Sequence, residues 1–217
     1  MIWAYAICDR PDLPLPRVRG LARAPLDMIA EGPLVAVLSR HARAPDEPAL
    51  DALWAHERVV EALMVERAVL PLRFGTRPAA DDGVREALAG RRDVLLEALD
   101  RVRGRVELAI RAMPSDAGAA AAPPPAAASG SEYLRARLAG ARTFAALHEP
   151  LAELAVAARC WPERVPGELL RTSYLVDEPA VDEFRSAVER LQREHPEAAL
   201  LCTGPWPAYS FVEGVSE

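Results

Sequence analysis

Apolar residues recur along the chain with strand and helix periods in alternation. The first such segment, residues 2–8, is apolar at nearly every position, so we expect a strand that is central or covered on both faces. Later segments with period 3.6 indicate amphipathic helices. We interpret residues 1–103 as an N-terminal α+β domain. Its predicted elements are strands at 2–8, 34–39 and 69–73 and helices at about 49–67 and 82–102.

The second half continues the alternation in the order βαββαβ. Val106, Leu108 and Ile110 face one side of a predicted strand and charged residues face the other, which is the pattern of a half-buried strand. This order predicts a ferredoxin-like domain at 104–217, a split βαβ arrangement whose antiparallel sheet has its helices on one face. Its predicted strands lie at about 105–111, 161–165, 167–176 and 198–203, and its helices at 131–158, interrupted by Pro150, and between Pro179 and Pro196.

A stretch rich in alanine and proline separates the first strand and first helix of this second domain. Residues 114–131 contain no large apolar side chain, and the three consecutive prolines within this range favour extended backbone. We therefore expect a disordered insertion there.

Composition excludes several classes of protein. The 217 residues are 51% hydrophobic and 27% charged with a net charge of −6, so we expect a soluble globular protein and no nucleic-acid partner. No apolar run has the roughly 18 residues that a membrane helix needs, and no signal peptide is visible. We expect a cytoplasmic protein without a membrane partner. The cysteines Cys8, Cys160 and Cys202 are too widely spaced for a zinc site, and we expect buried free thiols.

The histidines offer little chemistry. His56 lies on the apolar stripe of a predicted helix, which favours a core histidine over an acid–base group. Adjacent helical residues point about 100° apart, so His56 and Glu57 do not form a catalytic pair with each other. None of the four histidines has the spacing of a metal site. We predict no catalytic residue, no metal and no cofactor.

The segment Arg73-Phe74-Gly75-Thr76 is a second candidate site. An arginine, a glycine backbone and a hydroxyl at a strand end can bind phosphate, but the further glycines and the lysine of a P-loop are missing. The favoured interpretation is a turn with an unusual backbone angle at Gly75 and an inward Phe74. We expect Arg73 to reach a carboxylate such as Glu57 or Glu61.

The segment 204–209 is a third candidate. Prolines on both sides of Trp206 remove amide donors, so the segment is not an ordinary central strand. A stiff segment with exposed aromatic side chains is suited to contacting a partner through Trp206 and Tyr209. The alternative, that Trp206 closes the end of the sheet, is equally consistent with the sequence.

Together these motifs resemble the gas vesicle protein F/L family over nearly the whole chain. The matching strings are Trp3-Ala-Tyr-Ala-Ile7, His56-Glu57, Val69-Leu-Pro-Leu-Arg-Phe-Gly-Thr76, Gly104-Arg-Val-Glu-Leu108, Leu147-His-Glu-Pro150, Ser173-Tyr-Leu-Val176, Thr203-Gly-Pro-Trp-Pro207 and Tyr209-Ser-Phe211. The chain departs from the pattern at Ala208, where the family usually has a second proline before the tyrosine, and in its alanine-rich insertion.

The resemblance implies an accessory or minor structural protein rather than an enzyme. Gas vesicles are hollow shells built from a small, very hydrophobic subunit, and family members are thought to bind that subunit and help to nucleate or build the shell. The implied partners are this shell subunit and other gas vesicle accessory proteins, and the implied location is the cytoplasm, on gas vesicles. The resemblance also implies a fold of two α+β domains, the second of which is ferredoxin-like. The alternative is a ferredoxin-like enzyme or small-molecule-binding protein, which needs a pocket where ionisable groups converge.

Overall fold

Helices and antiparallel sheets make up the fold. The computed structural model describes residues 1–43, 50–115, 130–161 and 168–212. Across these residues there are five α-helices and two four-stranded antiparallel sheets. The predicted mixture of helices and antiparallel strands is thereby confirmed.

The chain divides into two compact units. The first comprises Met1–Gly104 and a C-terminal part that begins at Trp206, and the second comprises Arg105–Pro205. We call the described residues 206–212 the C-terminal segment. The predicted domains, 1–103 and 104–217, differ from this division because the C-terminal segment belongs to the first unit. That each unit is a separate domain stays a prediction.

A sheet with helices on both faces forms the first unit. Its elements are β1 (Ile2–Cys8), β2 (Leu26–Glu31), β3 (Leu34–Arg40), α1 (Leu50–Met64), β4 (Val69–Pro71), α2 (Asp81–Gly90) and α3 (Arg92–Val102). The sheet order is β2-β3-β1-β4 with antiparallel neighbours. All seven residues of β1 are buried, as predicted for a central strand that is covered on both faces.

Each face of this sheet has its own core. One core packs β1 against α1 and includes Trp3, Tyr5, Cys8, Val59 and Leu63. Helices α2 and α3 lie against the other face, where Ala4, Ile7, Val84, Leu88 and Leu95 approach one another. Neighbouring residues of a strand point to opposite faces, so one short strand supplies side chains to both cores.

Two predictions for the first unit are wrong. Strand β2 was not expected, because its alternation of apolar and polar residues is weak and it lies at the sheet edge. The single helix expected at 82–102 is two helices, since Arg91 has φ −122° and ψ 17°, outside the helical region. Gly90, which precedes the break, is a poor helix former.

One sheet and two helices form the second unit. Its elements are β5 (Arg105–Pro114), α4 (Gly130–Ala152), β6 (Ala157–Cys160), β7 (Leu170–Asp177), α5 (Val181–Glu194) and β8 (Ala198–Trp206). The sheet order is β6-β7-β5-β8, and β5 and β6 both run antiparallel to β7. Leu147 of α4 and Phe184 of α5 share one core with Leu108 and Ile110 of β5, so both helices pack on the same face.

The first helix of this unit ends earlier than predicted. It was expected to run to residue 158, but α4 ends at Ala152 and residues 157–160 form β6. Alanine-rich sequence is typical of helices, yet here the Val156 amide donates to the Leu175 carbonyl at 2.8 Å and β6 pairs with β7. The strand expected at 161–165 is therefore displaced toward the N-terminus, and residues 162–167 lie outside the described part.

The predicted insertion at 114–131 is only partly described. Pro114 is the last residue of β5 and Gly130 is the first of α4, so both ends of the predicted range belong to regular elements. The disorder expected between them falls on residues 116–129, which lie outside the described residues.

The three cysteines differ in their surroundings. Cys8 is buried, as expected, and Cys202 is partly buried. Cys160 is exposed, so the expectation of a buried thiol is wrong there. The cause is its place on β6, which is an edge strand of the second sheet.

Candidate binding site

The motif at residues 69–76 lines the edge of the first sheet. β4 pairs with β1, and the residues after it stay bonded to the same strand. The Leu72 amide donates to the Tyr5 carbonyl at 2.9 Å, and the Ala4 amide donates to the Thr76 carbonyl at 3.0 Å. The motif is therefore held along its length by β1, whose residues are all buried.

A tight turn closes this motif. The Arg73 carbonyl accepts hydrogen bonds from the Thr76 amide at 3.1 Å and from its hydroxyl at 2.7 Å. Gly75 has φ +94°, a backbone conformation that side-chain-bearing residues rarely adopt. The turn predicted from the sequence is therefore present, with the unusual angle at Gly75.

The predicted contact of Arg73 with a carboxylate is wrong. Its side chain is exposed, and within the described ranges neither Glu57 nor Glu61 pairs with it. The Thr76 hydroxyl donates inside the turn, so one of the three groups considered for phosphate binding already has a partner. Arg73 instead presents a cation to solvent beside the turn.

His56 connects this motif to α1 and β1. Its Nδ1 atom accepts a hydrogen bond from Trp3 Nε1 at 3.3 Å, which assigns the proton to Nε2. Nε2 then donates to the Leu72 carbonyl at 3.0 Å. The Phe74 ring lies edge-on to Trp3 and His56, with centroid distances of 4.9 and 5.7 Å. The structure thus brings together His56 and Phe74, which the sequence analysis named separately, and adds Trp3.

The environment of His56 favours its neutral form. The side chain is 1% exposed, and burial lowers the pKa of His56 to about 4, although its bond to the Leu72 carbonyl opposes the shift. Both ring nitrogens are engaged within the core. His56 is therefore a structural residue that fixes the position of residues 72–74.

Glu57, the next residue, faces a different part of the chain. The Tyr209 hydroxyl donates to Glu57 Oε2 at 2.9 Å, across 152 residues of sequence. This bond attaches the C-terminal segment to α1. The other carboxylate oxygen, Oε1, is buried and has no hydrogen-bond partner among the residues that the structure describes. One half of the carboxylate is satisfied, and the other bears a desolvation cost.

Burial also changes the acidity of this pair. It raises the pKa of Glu57, and the neighbouring Glu61 charge adds to the rise while the Tyr209 hydrogen bond opposes it. Burial, followed by the Glu57 charge, raises the pKa of the Tyr209 phenol. The phenol therefore remains protonated and acts as the donor.

Trp206 lies where the C-terminal segment begins. It is the last residue of β8 and is 38% exposed, whereas Pro207 and Ala208 are buried. The segment therefore buries its small residues and leaves part of the indole in contact with solvent. Tyr209 is not a free aromatic surface, because Glu57 engages its hydroxyl.

An apolar surface on α1 was missed by the sequence analysis. Leu50, Leu53 and Trp54 are 73%, 46% and 58% exposed. These positions are spaced three and four residues apart and lie on one face of the helix, with Glu57 one turn further on. We call Leu50, Leu53 and Trp54 the α1 apolar patch. The signal that was overlooked is a tryptophan outside the apolar stripe that contains His56.

The first unit also contains an open apolar cavity of about 340 Å³. It lies between the sheet and helices α2 and α3. Its lining is almost entirely aliphatic, with Thr76 and Arg91 as the polar residues. Among the described residues no group of three His, Cys, Asp or Glu side chains is placed to hold a metal ion. Of the described residues that line this cavity, Arg91 alone has an ionisable side chain.

None of the helices in the described ranges combines the length and the apolar character that a membrane-spanning helix requires.

The fold is that of solved gas vesicle proteins. The crystal structure of the gas vesicle protein GvpF from Anabaena sp. PCC7120 matches with a TM-score of 0.83 at 16% identity, over 98% of this chain and 95% of that chain. The crystal structure of GvpF from Microcystis aeruginosa matches with a TM-score of 0.79, also at 16% identity, over 98% of both chains.

Sequence comparison identifies the family. The model of the family described as gas vesicle synthesis protein GvpL/GvpF matches residues 1–213. Gas vesicle protein L of Streptomyces sp. (strain CB03234) is 32% identical over 99% of this chain and 93% of its own length. Gas vesicle protein F of the same organism is 29% identical over 98% of both. The chain belongs to the GvpL/GvpF family, which confirms the resemblance found in the sequence and connects the protein with gas vesicle formation.

Proposed function

We propose that this protein is an accessory, non-enzymatic component of gas vesicle formation that binds the small hydrophobic shell subunit and helps to nucleate or extend the shell. Family membership supports the process. The α1 apolar patch supports a binding role, since contiguous exposed apolar side chains mark protein interaction sites. The patch is the single observation on which the proposed binding surface depends.

The shell subunit needs a binding partner because its surface is very hydrophobic. A small, very hydrophobic polypeptide with open strand edges aggregates before it is incorporated into a shell. A partner that covers apolar surface transiently prevents this. Trp54 suits this role because tryptophan is enriched among the residues that dominate binding energy.

The remaining candidate residues divide between two roles in this proposal. His56, Phe74 and Gly75 hold the fold of the first unit, and the pair of Glu57 and Tyr209 holds the C-terminal segment. Two further residues, the exposed Arg73 and the half-exposed Trp206, are available to a partner. Other gas vesicle accessory proteins are the second class of partner, and the proposed location is the cytoplasm, on forming vesicles.

We further propose that the second unit is a ferredoxin-like domain. The βαββαβ order, the strand order β6-β7-β5-β8 and the shared face of α4 and α5 support this assignment. The alternative function, a ferredoxin-like enzyme or small-molecule-binding protein, requires converging ionisable groups. The apolar cavity of the first unit gives that alternative little support, since Arg91 is the one ionisable side chain among the described residues that line it.

Co-purification with the shell subunit tests the binding proposal. The variant carrying Leu53→Gln and Trp54→Gln removes most of the α1 apolar patch without touching the core, because both side chains are exposed. We expect the amount of shell subunit recovered with the tagged protein to fall about tenfold, as for loss of a binding anchor. Circular dichroism and thermal melting establish that the variant is folded.

A matched variant controls for exposed apolar surface in general. Val94 lies on α3 and is 56% exposed, so Val94→Gln makes the same chemical change on another helix. We expect Val94→Gln to leave recovery of the shell subunit unchanged. Undiminished recovery with the folded double variant would show that the α1 apolar patch is not the binding surface, and Trp206→Ala then tests the C-terminal segment.

A further inference from the structure

Strand β8 forms a long edge of the second sheet. It has nine residues and lies at one end of the strand order, beside β5. The Glu197 carbonyl, just before β8, accepts a hydrogen bond from the Ser115 amide, just after β5, at 2.8 Å. Because the backbone groups of successive residues in a strand point to opposite edges, those of Ala198 and Leu200 point away from β5.

One side chain of α5 occupies these outward backbone groups. Gln192 Nε2 donates to the Ala198 carbonyl at 2.6 Å, and the Leu200 amide donates to Gln192 Oε1 at 2.8 Å. A further strand paired with β8 has to bond to the same two backbone groups. Arg185, two turns earlier on α5, donates to the Gly204 carbonyl at 2.8 Å. Side chains of α5 therefore take the place of a neighbouring strand near both ends of β8.

The other edge strands of the two sheets are short or have their backbone groups engaged in a similar way. β4 has three residues and ends at Pro71, which has no amide hydrogen, and β6 has four residues. At β2, Arg85 donates to the Ala30 carbonyl at 3.0 Å, and the Met28 amide donates to Asp27 Oδ1 at 2.9 Å. Short strands, prolines and covered backbone groups all oppose pairing with another chain. β8 is the longest of the four edge strands, so its protection matters most.

We propose that the outer edge of β8 is a strand-pairing surface for a second copy of this chain, and that Gln192 keeps this surface closed. Two copies of one edge that run antiparallel form a two-fold symmetric pair, in which each strand supplies the same groups. Nine residues exceed the about five or six of an ordinary strand. Leu201, which is 56% exposed on β8, adds an apolar side chain to such a pair. The inference stands apart from binding of the shell subunit.

Sedimentation equilibrium of the full chain tests this proposal. Gln192→Ala removes both hydrogen bonds and places a better helix former in α5. We expect its weight-average mass to rise toward about twice the wild-type value, over a concentration range in which the wild-type mass is constant. Gln192→Glu is the matched control, because its carboxylate still accepts from the Leu200 amide and adds a charge at the edge, so its mass should equal that of the wild type. A folded Gln192→Ala protein with the wild-type mass throughout would overturn the proposal.

A second substitution identifies the surface through which the variant associates. Leu201→Lys, added to Gln192→Ala, places a charge on the exposed edge strand, which opposes strand pairing. We therefore expect the double variant to return to the wild-type mass. Persistent association of the folded double variant would refute β8 as the pairing surface.

Amide hydrogen exchange of the wild type tests the closed edge without any substitution. The partner of the Leu200 amide is the Gln192 side chain and not another strand. We expect this amide to exchange at least about tenfold more slowly in the folded protein than in the unfolded chain, as measured by NMR. Exchange at the unfolded rate would show that Gln192 does not close the edge, and this result decides against the proposal even if no variant folds.

Discussion

His56 is held by one donor and one acceptor in the core of the first unit. Trp3 donates to its Nδ1 atom, and its Nε2 atom donates to the Leu72 carbonyl. A second proton has to be placed on Nδ1, where it removes the acceptor that Trp3 uses. Protonation therefore opposes the folded state through both the lost bond and the buried charge.

A loss of stability in mild acid follows from this site. Burial lowers the pKa of His56 from its ordinary value of 6.5 to about 4. Above pH 6.5 the ring is neutral in the folded and unfolded chains, and its contribution is complete. As the pH falls from 6.5 toward 4, only the unfolded chain binds the proton, so the free energy of unfolding decreases, by about 3 kcal/mol in total.

Urea unfolding at pH 7 and pH 4 measures this decrease. His56→Gln is the control, since its amide can still donate to the Leu72 carbonyl but does not titrate. We expect the wild type to lose about 3 kcal/mol more than the variant between the two pH values. Equal losses in the two proteins would mean that other groups carry the acid sensitivity.

Among the elements, the turn after β4 depends on a single glycine. Gly75 has φ +94°, and a methyl group built on its Cα meets nothing within 4 Å. Any cost of a side chain there comes from the backbone alone. Gly83, in α2, also has nothing within 4 Å of such a methyl group but lacks the positive φ.

These two glycines form a matched pair of substitutions. We expect Gly75→Ala to lower the free energy of unfolding by about 1–2 kcal/mol, because alanine is strained at this φ. Gly83→Ala should raise it by about 0.5–1 kcal/mol, since alanine is the better helix former. Thermal melting of both variants measures the difference. Equal effects of the two substitutions would contradict the assigned turn conformation.

The elements with strong patterns were predicted well from the sequence. β1, β3, β7 and α5 have continuous or strictly periodic apolar positions, and each lies close to its predicted place. β2 and β6 were missed or displaced because both are edge strands whose order comes from pairing with a neighbour rather than from their own pattern.

The candidate site could be predicted only in part. His56 and the turn at Gly75 are local features, which motif and periodicity reveal. The bond between Glu57 and Tyr209 joins residues 152 positions apart, and a single sequence contains no local signal for that pairing. The exposure of Trp54 likewise depends on which face of α1 the sheet covers.

At the scale of the whole molecule, the first unit is built from both ends of the described chain. Residues 1–104 supply its sheet and helices, and the C-terminal segment returns to it after the whole of the second unit. Ala208 and Val212 are buried, and Tyr209 bonds to Glu57. The C-terminal segment is therefore part of this unit's structure and not an appendage of the second.

Removing the Tyr209 hydroxyl tests this attachment. Tyr209→Phe keeps the ring but leaves the Glu57 carboxylate without its donor, so we expect a loss of about 2 kcal/mol in the free energy of unfolding. Glu57→Gln keeps an acceptor for the phenol and removes a charge that burial disfavours, so its effect should stay below about 1 kcal/mol. Urea unfolding of both variants provides the comparison, and a larger loss for Glu57→Gln than for Tyr209→Phe would contradict it.

The return of the C-terminal segment imposes an order on biosynthesis. A ribosome releases the sheet and helices of the first unit, then all of the second, before residue 209 leaves the exit tunnel. Until then Glu57 has no phenol to accept from, and that part of α1 is uncovered. A nascent or prematurely terminated chain therefore differs from the finished protein on the very helix that carries Trp54, so only completed translation products present that helix in its mature form.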